Sequence, residues 1–241
     1  MNLIEAIAAR RSRRKYLGTP IDPALAAQLQ ETLDHCNKVE GIRMKLVMDN
    51  GQTFNGLTKS YGMFSGVNDY ICLIAESNDP AAAEKLGYYG ELAVLSATAL
   101  GLGTCWVGGT FRRSDVPVML ADTETLVCTI VVGNVDDQAS AKERLIHRLT
   151  HRKRKFVADM FESDTPAPDW FMQGMDAVMR APSALNRQPV TVVYECGAVT
   201  ASVQDIHASG MALDLGIAKL HFKLGAGDGE WEWGNDGVFV R

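Results

Sequence analysis

The sequence predicts a layered fold of α+β or α/β class with a helix buried at its centre. Three observations predict it. Strand-like and helix-like segments alternate along the 241 residues. Two of the strand-like runs, "DYICLIAE" and "TLVCTIVVG", are almost wholly apolar and so suit inner positions in a sheet. The helical run "LAVLSATALGLG" is apolar on most of its faces, as a helix enclosed by other layers would be. At 46% hydrophobic and 22% charged, the chain can bury the core of one large domain or two small ones.

Taken in order, residues 2–11 read as a short helix leading into an extended "YLGTPIDP", where Pro20 and Pro23 bar helix continuation. Asp22 caps a second helix that has Pro23 at its first position and runs through "ALAAQLQETLDHC". "MKLVMD" and "DYICLIAE" follow as strands. Asn78 or Asp79, with Pro80, opens a long helix that stops at Gly101 and Gly103. Next come "TCWVGG", the basic turn "TFRRSDVP" and the strand "TLVCTIVVG". A basic run, "KERLIHRLTHRKRK", carries seven Lys or Arg against one acid, and residues 162–168 have the composition of a linker.

The remainder echoes what precedes it. "DWFMQGMDAVMR" is a helix, "VTVVYE" a strand and "DIHASGMALDLGIAKLHFKLGAG" a helix ending in glycines; "EWEWGNDGVFV" signals a hairpin around Asn-Asp-Gly. "LAVLSATALG" and "LGIAKLHFKLG" share length, small residues and a glycine stop with little identity, the pattern of a degenerate repeat. Residues 1–161 and 169–241 are therefore the expected halves.

Several function classes are disfavoured. A net charge of -5 argues against a nucleic-acid binder using its whole surface. No apolar window has transmembrane length, and Glu5 and the misplaced basic cluster spoil the N-terminus as a signal peptide, so a cytoplasmic protein with no membrane partner is expected. The five cysteines are widely spaced and lack a CxxC, which reads as buried reduced thiols without a zinc site. His147 and His151 stand four apart but have no third ligand nearby, so no metal site is expected. Gly101 and Gly103 do not extend to a dinucleotide fingerprint, and Trp231 and Trp233 read as packing residues.

Two stretches do suggest chemistry. "ARRSRRKY" places four Arg and a Lys between Arg10 and Lys15, a cluster suited to a phosphate because guanidinium groups donate in pairs to its oxygens. "RAPSALNRQP", Arg180 to Pro189, has the residues of a stiff polar turn. Taken separately, each also reads as an ordinary solvated turn.

Together they resemble a family. "ARRSRRKY" is similar to the Arg-Arg-Ser-x-Arg motif of the nitroreductase-like flavoproteins, and "APSALNRQP" resembles their Pro-Ser loop. "LSATALGLGTCWVGG" resembles their long central helix and Gly-rich turn, and "THRKRKFV" their terminal basic segment. Ordinary members carry the Pro-Ser loop shortly after the first helices, where this chain has "HCNKVEGIRMKLVMD"; here the loop lies in the second half. That order resembles the tandem, single-chain branch of the family.

The resemblance implies an α+β nitroreductase-like fold, with a mixed central sheet flanked by helices and two degenerate halves forming an intramolecular pseudo-dimer that acts as a monomer. It implies one FMN per chain, with NAD(P)H as reductant and an electron-poor small molecule, such as a nitroaromatic or quinone, as acceptor. By the same resemblance Arg10, Arg11, Ser12 and Arg14 hold the phosphate, ribityl chain and pyrimidine edge, Arg14 being the cation for the N1–O2 edge. Arg152 and Arg154 add phosphate contacts. Pro182, Ser183, Asn186 and Gln188 pack on the ring and bond its polar edge, and the backbone of Trp106, Val107, Gly108 and Gly109 approaches N5. No side-chain acid or base is implied, since the flavin carries the chemistry. The alternative expectation is a flavin-binding or vestigial protein without turnover, suggested by Val190 where many relatives have Trp.

Overall fold

The computed structural model describes residues 1–54, 60, 62–138, 140, 143–145, 148 and 155–241. The chain divides into two compact units, one made of Met1–Ala82 and Ala93–Leu149, the other of Ala83–Leu92 and Thr150–Arg241.

The first unit opens with helix α1 (Leu3–Ala9), begun by a reciprocal cap. The Asn2 side chain accepts from Glu5 N at 2.8 Å while the Glu5 carboxylate accepts from Asn2 N at 2.9 Å. Helix α2 (Pro23–Cys36) starts where the sequence places it, with Asp22 accepting from Ala24 N at 2.8 Å. Strands β1 (Ile42–Val47), β2 (Asp69–Glu76), β3 (Gly103–Val107) and β4 (Glu124–Gly133) form an antiparallel sheet in the order β1-β2-β4-β3. The two inner strands, β2 and β4, are the two apolar runs, and every residue of β2 except Glu76 is buried. Tyr16, Phe54, Phe64, Tyr70, Cys105 and Val131 belong to the core beside this sheet, with Phe54 and Tyr70 in an edge-to-face contact at 4.9 Å.

Helix α3 (Ala82–Ala99) is the long apolar helix. Asp79 accepts from Ala81 N at 2.8 Å just ahead of it, and it ends before Gly101, whose φ of +84° only glycine adopts freely. Its first half, Ala83–Leu92, groups with the second unit instead of the first half assigned from sequence.

The second unit adds β5 (Phe161–Ser163), α4 (Asp169–Val178), β6 (Thr191–Glu195), β7 (Ala198–Ser202), α5 (Met211–Ala226), β8 (Glu230–Trp231) and β9 (Gly237–Val240). The sheet order is β5-β6-β7-β9-β8, with β5 parallel to β6 and all other pairs antiparallel. Trp170, Phe171, Phe222, Trp231 and Phe239 form an aromatic cluster with ring centroids 5.0–6.4 Å apart. Residues 83–92 of α3 lie backbone-close to α5. A Cβ on Gly216 would stand 1.9 Å from the Glu84 carbonyl oxygen, and one on Gly87 2.1 Å from the Leu213 carbonyl oxygen.

Two ionic groups are enclosed in this unit. Lys219, fully buried, donates to Glu84 Oε1 at 2.5 Å and to the carbonyls of Glu232 and Gly234 at 2.9 Å each. His221 lies 3.0 Å from Glu91 Oε1 through Nε2 and 2.9 Å from the Ala177 carbonyl through Nδ1. Trp231 is buried and donates its indole N–H to the Lys219 carbonyl, so it packs as read from sequence.

The structure corrects several expectations. Among the described residues the strands form two sheets, one per unit, in place of one mixed central sheet. Glu162 and Ser163, read as the head of the linker, are paired in β5. Strand β7 was not foreseen; it pairs with β6 across a tight turn at Cys196 and Gly197, both at positive φ. Helix α5 begins at Met211 and not near Asp205, because Gly210 in front of it has φ +82°. Four cysteines are buried, with burial pushing the Cys72 thiol up to about 12, but Cys196 on that turn is exposed. His147, His151, Arg152 and Arg154 lie outside the described residues.

Candidate functional site

In the first unit the Arg-Ser segment is laid along the outer edge of β3. Ser12 forms a parallel bridge with Thr104, and Arg13 N donates to Thr104 O at 2.9 Å. Further on, Ser65 N donates to Arg14 O at 3.1 Å, Tyr16 N to Ser65 O at 2.9 Å and Leu17 N to Asn134 O at 2.9 Å. Glu143 locks the middle of the segment. Its Oε1 accepts from Arg14 N at 2.7 Å, Lys15 N at 3.0 Å and Arg13 Nε at 3.2 Å, and its Oε2 from Ser140 N at 2.7 Å. Burial alone would raise this carboxyl, but the amides of Arg14, Ser140 and Lys15 outweigh burial and hold it at about 2. It is therefore ionised at any physiological pH.

The basic side chains then sort into two groups. Arg11 turns back to donate to the carbonyls of Ala8 at 2.8 Å and Arg10 at 2.7 Å, closing the end of α1. Arg13 is spent on Glu143 and the Asp136 carbonyl. Arg10, Ser12 and Arg14 instead gather about Cys105: burial pushes that thiol up, opposed by the charges of Arg14 and Arg10 and by a hydrogen bond from Ser12. The Arg14 Nε is buried and has no hydrogen-bond partner among the described residues. A buried cationic donor left in that state costs on the order of 1–3 kcal/mol or more, which an incoming oxygen acceptor would recover. Past Trp106 and the buried Val107, β3 runs into Gly108 and Gly109, and the space beside both glycines is open where a Cβ would project.

In the second unit the Pro-Ser loop is held under strain. Leu185, Asn186 and Gln188 take φ of 54°, 51° and 49°, left-handed conformations that each cost a non-glycine residue of order 1 kcal/mol. Four contacts fix them. The Ser183 hydroxyl accepts from Gln188 N at 2.9 Å, Gln188 Oε1 accepts from Lys155 N at 3.0 Å, and Asn186 N donates to Ser183 O at 2.9 Å. The Asp214 carboxyl accepts from Ala184 N, with its two oxygens at 3.1 and 3.2 Å. Asp214 is 6% exposed, and burial pushes it up to about 7 against the Ala184 amide and the charge of Arg187. Ser183 thus serves the loop's own backbone and Gln188 ties the loop to the Lys155 amide, while Leu185 is 57% exposed and Asn186 half-buried.

Two residues that the sequence reading missed, Glu143 and Asp214, hold the two stretches in place. Glu143 is the lone acid in a run of seven cations, and Asp214 a lone acid in "MALDLG" at the head of an apolar helix. Each stands out by charge against its surroundings, which is the signal that could have found it.

The chain thus has two α+β units, one presenting a buried cationic edge and the other a strained Pro-Ser turn. Residues 2–226 match the family described as "Putative TM nitroreductase", and the chain belongs to that family. No curated protein matches the sequence. Among solved structures, the chain is similar to a "putative nitroreductase" of Thermotoga maritima, with a TM-score of 0.64 and 22% identity over 99% of this chain and 92% of that one, which shows a shared fold. An FMN-dependent nitroreductase of Clostridium difficile R20291 aligns at 18% identity over 64% of this chain and 99% of that one. A nitroreductase with bound FMN from Desulfitobacterium hafniense DCB-2 aligns at 17% identity over 57% and 92%. Both have a TM-score of 0.47.

Proposed function

We propose that the protein is an FMN-dependent oxidoreductase that passes hydride from NADH or NADPH to an electron-poor acceptor, a nitroaromatic or a quinone. Membership of the nitroreductase family supports a general oxidoreductase function. The observation that carries the cofactor is the buried Nε of Arg14, unsatisfied among the described residues, beside Arg10 and Ser12, a donor set of the kind that holds an anionic or carbonyl-rich ligand.

In this reading Arg10, Ser12 and Arg14 bind the phosphate and the pyrimidine edge, with Arg152 and Arg154 adding charge and Arg11 serving chiefly to close α1. The open backbone of Gly108 and Gly109, with Trp106 and Val107, lets the main chain come close to the ring. Pro182 and Asn186 supply ring contacts from a loop whose shape Ser183 and Gln188 maintain. Bound FMN supplies the two-electron chemistry, and the chain supplies charge, orientation and shelter from water. One such site per chain, with the two units as a pseudo-dimer and the protein working as a monomer, completes the reading.

The test is steady-state oxidation of NADH and NADPH with a nitroaromatic or quinone as acceptor. Parallel double-reciprocal lines, and a loss of rate in Arg14→Ala, are expected. Tight flavin binding with no NAD(P)H oxidation for any acceptor would overturn the enzymatic reading in favour of a flavin-binding protein without turnover.

A further inference from the structure

A strained loop needs an anchor, and the structure supplies one from a helix 30 residues further on. Ala184 opens the single turn that carries Leu185 and Asn186 into the left-handed region, and its N–H points at both oxygens of Asp214. Asp214 stands in the first turn of α5, just after Gly210, so the backbone of a 16-residue helix fixes where its carboxyl lies. Around it the cleft is walled by Met160 from the segment before β5, Val178 from α4, Val190 just before β6 and Ala218 from α5 itself, none of them charged. Of the charged groups, Arg187 acts on it from the loop. Farther along α5, Lys219 and His221 are engaged with Glu84 and Glu91, and Lys155 gives the loop its backbone amide.

We propose that Asp214 is the positioning residue of the Pro-Ser loop, a latch that holds the Ala184 amide and thereby sets the loop in its flavin-binding shape. The latch rests on the flavin reading for its purpose but on the contacts within the second unit for its existence. It also has a pH sense. The docked loop keeps the carboxyl enclosed and favours its neutral form, whose carbonyl oxygen still accepts from Ala184; lifting the loop hydrates the carboxyl and favours ionisation. Raising the pH from 3.8 to about 7 therefore loosens the latch progressively.

Two variants of the full chain test this. In Asp214→Asn the side-chain oxygen can still accept from Ala184 but no longer titrates; in Asp214→Ala the acceptor is gone. Hydrogen exchange of the Ala184 amide in the protein without flavin should show protection in wild type and Asp214→Asn, lost in Asp214→Ala by about five-fold or more, as for one forfeited hydrogen bond. FMN titration from pH 4 to 8 should show wild type approaching Asp214→Asn at the acid end, growing progressively weaker toward about pH 7 and levelling off above it. Ionisation of the FMN phosphate affects both alike and cancels in that comparison. Equal Ala184 protection in Asp214→Ala and wild type, or FMN curves for wild type and Asp214→Asn that stay parallel at all pH values, would overturn the latch. Should wild type bind no FMN at any pH, the flavin reading falls, and the exchange data alone decide whether Asp214 anchors the loop.

Discussion

Replacing Lys219 with methionine keeps the length and bulk of the side chain but removes a charge that the second unit has fully enclosed. The ammonium spends all three donors inside the protein, on Glu84 and on the carbonyls of Glu232 and Gly234. Burial pulls its pKa down, and the hydrogen bond and charge of Glu84 oppose that shift. In Lys219→Met the Glu84 carboxylate, 1% exposed, retains among the described residues only the Gly234 amide at 2.6 Å; the Glu232 carbonyl loses the ammonium donor and the Gly234 carbonyl keeps the Gly237 amide at 3.2 Å. Breaking one side of a buried pair costs about 3–5 kcal/mol, whereas replacing both sides with apolar groups of similar volume is often neutral or better. At about 2–4 °C per kcal/mol for a chain of this size, the single variant should melt roughly 6–20 °C below wild type. Urea unfolding followed by tryptophan fluorescence measures the loss, since Trp170, Trp231 and Trp233 all lie in the second unit. The pair Glu84→Leu with Lys219→Met should recover most of it, giving a large coupling energy in the double-mutant cycle. A single variant within about 1 kcal/mol of wild type, or a pair as damaged as the sum of its parts, would refute the reasoning.

Other outcomes follow from the same contacts. Because the folded protein keeps a proton on Asp214 that the unfolded chain releases above 3.8, its contribution to stability is full below that value and is lost as pH rises to about 7. The swing is on the order of 4 kcal/mol, and Asp214→Asn should remove this part of the pH dependence in a series of denaturation curves. Glu143 runs the other way: its lowered pKa contributes stability above 4.5 that is lost as pH falls through about 2. Glu143→Ala, which frees the Arg14 and Lys15 amides, should weaken FMN binding at neutral pH, read by flavin fluorescence. Gly216→Ala sets a methyl against the Glu84 carbonyl and should destabilise by the upper end of about 1–3 kcal/mol; calorimetry that finds it neutral would mean the helices can separate.

The strongest sequence signals were those that a contiguous stretch carries by itself. β2 and β4 were legible because inner strands are apolar on both faces, and α2 because Asp22 and Pro23 are a local start signal. β5 and β7 were not: the three residues of β5 have no buried position, and β7 is short, with alanine and serine among its residues. The same division applies to the site. The Arg-Ser and Pro-Ser stretches can be read as units, but what each arginine does depends on partners that are remote in sequence. Arg11 and Arg14 look alike in "RRSRRK", yet one closes a helix and the other keeps a buried donor unsatisfied among the described residues. Glu143 reaches the Arg14 amide across 129 residues and Asp214 reaches Ala184 across 30, distances at which no local pattern connects them.

The visible absorption spectrum of the protein after reconstitution with FMN and removal of the excess tests most directly the proposal that the cationic edge around Arg14 holds a flavin. A flavin spectrum at close to one equivalent per chain is expected, sharply reduced in Arg14→Ala and Asn186→Ala. A protein that stays colourless after reconstitution, or that retains FMN equally in both variants, would contradict it.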